Sequence, residues 1–323
     1  MRGLIIGCGS IGTLYDSPKS DMVLTHAHAF ALNPNITEYA LVDNNEEVLK
    51  MSCETWGVKG FLNLFEAFRD FLPDIVCIAT PPQARREIFQ KIIGTNIKNI
   101  ICEKPLSDSY ESGLEIQKMI EEHDLLVNIN YVRRFDPQVT SLKKIIQDKE
   151  FGSLQAVRCV YTKGVVNSGS HMLNLLQFLL GNYKNGKVYS GFVDYDKNDP
   201  SLNCYLNFQQ CSNVQLMAVN QKDYFLFEYE FFFQKKRIAF SNRGYEFKVQ
   251  EIREDPIFSG YIDLDLGVVE KTQLDESLKS LLENTIDASS SSELISPVGE
   301  ALLSLKICLD LKKNYEELKS WQN

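Results

Sequence analysis

The sequence predicts two domains of different class: an α/β domain with a parallel sheet over residues 1–128, and an α+β domain with a large, mostly antiparallel sheet over 129–323. Three observations carry this reading. At 323 residues the chain exceeds one ordinary core. Through the first 130 residues, short apolar strands bounded by turns alternate with helical stretches, the pattern of a parallel sheet covered on both faces. From about 151 to 260, period-two strands follow one another with one helical interruption, as in an antiparallel sheet with a helix on one face.

The elements follow in order. "GLIIG" is a short apolar strand, "THAHAFALN" a helix, and "EYALVD" a strand ending in an acid. "VKGF" is a short strand and "LNLFEAFRDF" a helix. "DIVCIATPP" and "KNIICEKP" are strands stopped by proline, with the helix "ARREIFQKIIG" between them. "SDSYESGLEIQKMIEEH" is a longer helix and "LLVNIN" another strand. The alternation stops near 125–150. The strands "LQAVRCVYT", "KVYSGFVDYD", "LNCYLNFQQ", "VQLMAVNQ", "YFLFEYEFFF", "KRIAFSN" and "YEFKVQEIRE" then appear, interrupted only by the helix "GSHMLNLLQFLLG". "LDESLKSLLENTID" and "PVGEALLSLKICLDLKKNYEELK" are closing helices, the last expected to pack back on the first domain, with a serine loop at 289–292 between them.

Composition excludes several classes. Hydrophobic residues make up 44% and charged residues 24%, as in an ordinary globular protein. The net charge is −9 without a Lys/Arg stripe, which argues against nucleic acid or an anionic membrane as partner. No apolar run reaches spanning length, and the N-terminal apolar stretch is too short for a secretory signal. The eight cysteines form no CxxC pair and lie partly in apolar strands, so they read as buried free thiols of a cytoplasmic protein. No His/Cys/Asp cluster has metal spacing, and no catalytic metal is predicted.

"GLIIGCGSIG" places Gly7, Gly9 and Gly12 directly after the first strand. Gly7 allows the tight turn, Gly9 a close approach of backbone to a pyrophosphate, and Gly12 close packing on the strand. Ser10 and Ile11 complete the loop, and backbone N–H groups of the following helix start are expected to face the anion. This is the Rossmann signature. Asp43, ending the second strand, fits the acid that holds the ribose hydroxyls. It lies further along than usual because "TLYDSPKSDMVLT" is inserted before the first helix. A carboxylate repels a 2′-phosphate and no arginine follows it, so NAD is expected over NADP.

Ligands of an open α/β sheet sit beyond the carboxyl ends of the strands. "ATPP", "CEKP" and "NYVRRFDP" collect there. Thr80 and Pro81 end one strand where the dinucleotide passes, and Glu103 and Lys104 end the next. Lys104 is placed to bond a substrate hydroxyl and the nicotinamide ribose, and to stabilise negative charge on oxygen. Arg133 or Arg134 is a candidate for an anionic group, or for a salt bridge at the domain junction.

With "GCGSIG", "IATPP", "CEKPL", "NYVRRFDP" and "GSHMLNLLQFLLG" in this order, the chain resembles the Gfo/Idh/MocA oxidoreductases, relatives of glucose-fructose oxidoreductase and inositol dehydrogenase. The resemblance implies a two-domain NAD(P)-dependent enzyme that moves hydride to or from a carbinol carbon of a sugar, nucleotide sugar or cyclitol. It maps the family's lysine onto Lys104 and its active-site histidine onto His171. The chain departs from the family at Asn167 and Asn174, where aspartates are frequent, and at Arg85, where a histidine is frequent.

Oxidation of a secondary alcohol needs a base for the hydroxyl proton, and His171 has the titration range for it. Asn167 orients the ring or binds a hydroxyl, without the charge a carboxylate there would supply. The alternatives are that Lys104 takes the proton while His171 only hydrogen-bonds, or that His171 is structural. His26 and His28 read as members of the first helix, and His123 as a helix end. The aromatic alternation Phe227, Tyr229, Phe231, Phe233 fits a buried or oligomeric sheet face at least as well as a sugar-stacking surface. A homodimer or homotetramer through the second sheet is expected. The competing functions are an NAD-dependent glycoside-cleaving enzyme of the same family and a non-catalytic dinucleotide-binding regulator.

Overall fold

The computed structural model describes residues 1–320. Contacts divide the chain into two compact units: Met1–Phe135 with Asp275–Leu303, and Asp136–Leu274 with Ser304 onward. Residues 129–135 and 275–303, read from the sequence as part of the second domain, thus cluster with the first unit. The end of that expected domain, 321–323, lies outside the described residues.

The first unit carries β1 (Arg2–Ile6), α1 (His26–Leu32), β2 (Glu38–Val42), α2 (Glu46–Trp56), β3 (Lys59–Phe61), α3 (Leu64–Asp70), β4 (Ile75–Ile78), α4 (Pro82–Ile92), β5 (Asn99–Cys102), α5 (Tyr110–Glu122) and β6 (Leu126–Ile129). Its sheet runs β3-β2-β1-β4-β5-β6 with every pairing parallel, the doubly wound order. Successive side chains of a strand point to opposite faces, so each central strand feeds two cores. Leu4, Ile6, Val76, Ile78 and Ile100 join Ile88 and Phe89 of α4 and Ile116 of α5 on one face. Ile5, Ile75, Cys77 and Ile101 join Ala27 and Phe30 of α1 on the other.

The second unit follows with α6 (Pro137–Asp148), β7 (Leu154–Tyr161), α7 (Ser170–Leu180), β8 (Tyr183–Asp196), β9 (Asp199–Phe208), β10 (Val214–Ala218), β11 (Phe227–Phe233), β12 (Lys236–Ser241), β13 (Glu246–Glu254), β14 (Ile262–Leu264) and β15 (Val268–Lys271). Its sheet runs β14-β13-β12-β11-β7-β10-β9-β8, with β15 also on β13. Pairing is antiparallel except between β7 and β10, among the described strands. Phe227, Tyr229, Phe231 and Phe233 are buried while the residues between them are partly exposed. Tyr229 stacks on Phe240 at 4.6 Å, so the aromatic alternation builds the core of this unit.

The chain closes with α8 (Ser277–Asp287) and α9 (Val298–Ser320). Leu278, Leu281 and Leu282 of α8 complete the α1 side of the first core. Early α9 residues Val298, Ala301 and Leu302 belong to the first unit's core, and Ile307, Cys308 and Leu311 to the second's. All eight cysteines are free and seven are buried. Burial pushes the Cys8 thiol up to about 12 and Cys102 to about 11, which keeps both protonated and unreactive. Among the described residues no helix is long and apolar enough to cross a membrane.

Candidate active site

The strand order reverses between β1 and β4, and a cavity of about 600 Å³ opens at their carboxyl ends. Its wall brings together Gly7, Gly9, Asp43, Thr80 and Pro81, five of the residues expected to hold a dinucleotide. Gly7 leaves β1 at φ +101, a region that L side chains rarely adopt, and a Cβ there would lie 2.9 Å from the Ala79 carbonyl. A Cβ on Gly9 would meet no protein atom within 4 Å, so this backbone faces open space that a ligand can approach. Gly12 packs on the Gly7 carbonyl. The Thr80 hydroxyl is buried and has no hydrogen-bond partner in the protein, which suits a polar ligand atom at this wall.

The first helix follows the insertion, where the sequence places it, and only a short turn follows the glycines directly. Ser10–Leu14 forms one wide turn closed by Tyr15 N–H onto the Ser10 carbonyl (3.0 Å), and α1 begins only at His26. The cause is the insertion between them. Asp16, almost wholly buried, accepts hydrogen bonds from Leu24 N–H (2.6 Å), the Thr25 hydroxyl and His28 Nδ1 (2.8 Å). That carboxylate folds the insertion back on itself before the helix can start.

Asp43 braces the loop from the neighbouring strand. One carboxylate oxygen accepts Cys8 N–H (2.7 Å) and the other Asn45 N–H (2.9 Å), leaving lone pairs at the cavity rim. The charged residues on the wall are Asp43, Glu87 and Lys91, and Lys91 is paired with Glu87 at 2.6 Å.

β5 lies beside β4, and Glu103 N–H bonds the Ile78 carbonyl at 2.9 Å, so Glu103 and Lys104 emerge next to Ala79 and Thr80. The two side chains take different directions of use. Glu103 is buried, and its carboxylate accepts from His26 Nε2 (2.8 Å) and the Asn130 amide. Burial pushes its pKa up, but the His26 bond and charge, Asn130 and the Arg85 charge outweigh this and hold it below the usual carboxylate range. Lys104 is half-buried and joined to Pro105 by a cis peptide bond. Ser10, Ile11, Gly12, Glu103, Lys104 and Arg133 stand outside the cavity wall among the described residues. Arg133 is half-buried on the short turn Val132–Phe135, whereas its neighbour Arg134 is fully buried on Glu300 and the Ile295 carbonyl, within the first unit.

In the second unit His171 sits in the first turn of α7, with its ring edge-on to Phe227 at 6.5 Å. The preceding turn, Gly164–Gly169, is held by the β8–β9 hairpin. Asp199 accepts Val166 N–H and Asn167 N–H, each at 2.8 Å. Asp194 accepts Lys163 N–H (3.0 Å) and the Ser201 hydroxyl (2.8 Å), and Ser201 in turn accepts Gly164 N–H (2.8 Å). Burial raises the Asp199 pKa, and the two backbone bonds recover part of that cost. Asn174, the second family aspartate replaced here, is completely buried and donates to Ser304 Oγ at 3.0 Å, so it serves the core.

Sequence reasoning missed Asp16, Asp194, Asp199 and the grip of Arg85 described below. The acids in "DYDKNDP" look like ordinary turn residues, and nothing local marks them as anchors for a segment some 30 positions away.

Fold and cavity together define a Rossmann-type dinucleotide-binding unit. Residues 1–131 match the sequence model GFO_IDH_MocA, described as an oxidoreductase family with an NAD-binding Rossmann fold. Inositol 2-dehydrogenase of Corynebacterium glutamicum is 28% identical over 156 residues, 44% of this chain and 44% of that protein. Matches to the curated relatives span from 25% to 45% of their lengths. Among solved structures, an oxidoreductase of Agrobacterium radiobacter in complex with NAD+, L-tartaric acid and magnesium superposes with TM-score 0.74 at 16% identity, covering 98% of this chain and 96% of that one. A 3-ketoreductase variant from Actinomadura kijaniata in complex with TDP-benzene and NADP gives TM-score 0.74 at 14% identity, over 97% of each chain. At these identities the structural likeness shows the fold.

Proposed function

We propose that this protein is an NAD-dependent dehydrogenase or reductase acting on a carbinol or keto carbon of a sugar, nucleotide sugar or cyclitol. The observation that carries the reading is the cavity at the β1/β4 switch point, beside the strand end that bears Lys104. When bound, the nicotinamide would accept or return the hydride. The chain supplies the rest. Gly7, Gly9, Thr80 and Pro81 seat the dinucleotide, with Ser10, Ile11 and Gly12 shaping the loop behind it and Arg133 at its edge. Asp43 takes the ribose hydroxyls. Its charge, and a wall whose one lysine is already paired with Glu87, disfavour a 2′-phosphate and support NAD over NADP. Glu103 holds the strand end while Lys104 donates to the reacting oxygen and stabilises its negative charge. Oxidising CH–OH to C=O releases one hydride and one hydroxyl proton, and we assign the proton to His171, with Asn167 orienting ring or substrate.

The exposed aromatics Tyr189, Tyr195 and Tyr205 on β8 and β9 support a homodimer or homotetramer through the second sheet. The composition and the cysteine chemistry support a cytoplasmic protein. The test of function is NADH absorbance with NAD and a panel of sugars, cyclitols and nucleotide sugars. Cleavage of an aryl glycoside without net NADH would replace the reading with the glycoside-cleaving alternative, and NAD binding with neither activity would replace it with a regulator.

Asn167→Asp separates the roles within the site. If His171 carries the proton, a carboxylate at 167 stabilises its imidazolium form, so kcat is preserved or raised and the acid limb of the pH–rate profile moves to higher pH. A collapse of kcat would place the Asn167 amide on the substrate.

A further inference from the structure

We infer that Arg85 is the positioning residue for Lys104, registering the strand end that seats the cofactor with the strand end that carries the lysine. The inference rests on the reading of Lys104 as the group at the reacting oxygen. Arg85 lies in the first turn of α4, where side chains lean back toward the helix N-terminus and hence toward the strand ends. It is 2% exposed. Its guanidinium reaches three main-chain carbonyls. Nε and Nη2 donate to the Thr80 carbonyl at 3.1 and 2.7 Å, while Nη1 donates to the carbonyls of both Glu103 and Pro105.

Those three acceptors are not scattered. Thr80 is in the cavity wall at the end of β4. Glu103 and Pro105 are the residues on either side of Lys104 at the end of β5. One rigid, planar cation therefore fixes the backbone on both sides of the lysine and ties it to the cavity wall. A lysine or a histidine at this position could not bridge three carbonyls in a fixed fork. Burying a cation carries a desolvation cost that an apolar residue of similar volume would avoid, so packing alone does not explain an arginine here. Its charge is answered by the carbonyl dipoles and by Glu103, whose carboxyl it helps to keep ionised.

Transfer of a hydride and a proton from one carbinol needs the lysine and the cofactor seat in one geometry, and a displacement of about 1 Å costs about 100-fold in rate. The expected result for Arg85→Lys, which keeps the charge and loses the fork, is a fall in kcat of about 100-fold, with KM and the NAD dissociation constant within about fivefold of wild type. In Arg85→Ala, millimolar guanidinium restores rate and methylammonium does not. If the alanine variant does not fold, Arg85→Lys carries the test alone.

A second readout does not depend on turnover. The rate of reductive methylation of Lys104, measured by mass spectrometry relative to the exposed Lys118, rises at least about threefold in Arg85→Lys as the strand end is released. Lys104→Ala is run in parallel. If Lys104→Ala retains wild-type rates, the reading of Lys104 fails and this inference with it. If Lys104→Ala is inactive but Arg85→Lys matches wild type in kcat, the Arg85 inference alone is overturned. An unchanged labelling ratio overturns it as well.

Discussion

Replacing Lys104 with alanine is expected to abolish turnover, by about 10³-fold or more in kcat, while NAD still binds. The expected effect is large because, in the proposed mechanism, the ammonium serves the oxygen as charge develops on it, so its loss would fall on the transition state rather than on ground-state binding. Cofactor binding is expected to survive because the cavity wall is built by Gly7, Gly9, Asp43, Thr80 and Pro81, and Lys104 stands outside it. The measurements are steady-state kcat with the best substrate of the panel and NADH fluorescence titration. Lys104→Arg is informative beside it. Guanidinium keeps the charge but is larger and planar, so it cannot take the compact ammonium's place at the oxygen and restores little of the rate. Full activity in Lys104→Ala would remove the residue from the mechanism.

The second large effect is expected at the glycine loop. Gly7→Val should raise the NAD dissociation constant about 100-fold, equivalent to about 2.7 kcal/mol, and lower the melting temperature. Two costs add. Valine at φ +101 is strained, and its Cβ would sit 2.9 Å from the Ala79 carbonyl and 3.1 Å from Thr80 N. Those are backbone atoms and cannot rotate away, so the ends of β1 and β4 must separate and the cavity between them deforms. Gly9→Ala is the control. Its Cβ enters open space, so the melting temperature of the free protein stays near wild type while NAD affinity falls because the methyl group occupies ligand volume. Differential scanning fluorimetry with and without NAD checks both, since ligand binding to the folded state raises apparent stability. Normal NAD affinity in Gly9→Ala would move the cofactor away from this loop.

Much of the fold is legible locally. Strands β4 and β5 announce themselves as apolar runs ended by proline, and β11 by its alternating aromatics. Other elements do not. α2 is capped by Asn45, whose side chain accepts Glu47 and Val48 N–H, and its apolar face is short: Leu49, Ser52 and Trp56 are the buried residues. α6 is similar, with Asp136 capping it and Val139, Leu142 and Ile146 buried. Such helices are stabilised by the sheet they cover more than by their own pattern. The short strands β14 and β15 exist because β13 offers them an edge.

The sequence by itself determined the chemistry on offer. Residue type and spacing placed a glycine turn after the first strand, an acid after the second, and a lysine after a later one, because strand ends and tight turns impose their own local demands. Tertiary structure decided what those residues face. It turned the Glu103 carboxylate inward onto His26 and Asn130, buried Arg134 on Glu300, and set Asn174 into the core. It also recruited Arg85, Asp16 and Asp199 to hold segments they do not adjoin. The physical reason is that a buried charge or a buried N–H must find a partner, and that partner is selected by proximity after folding, which no spacing along the chain encodes.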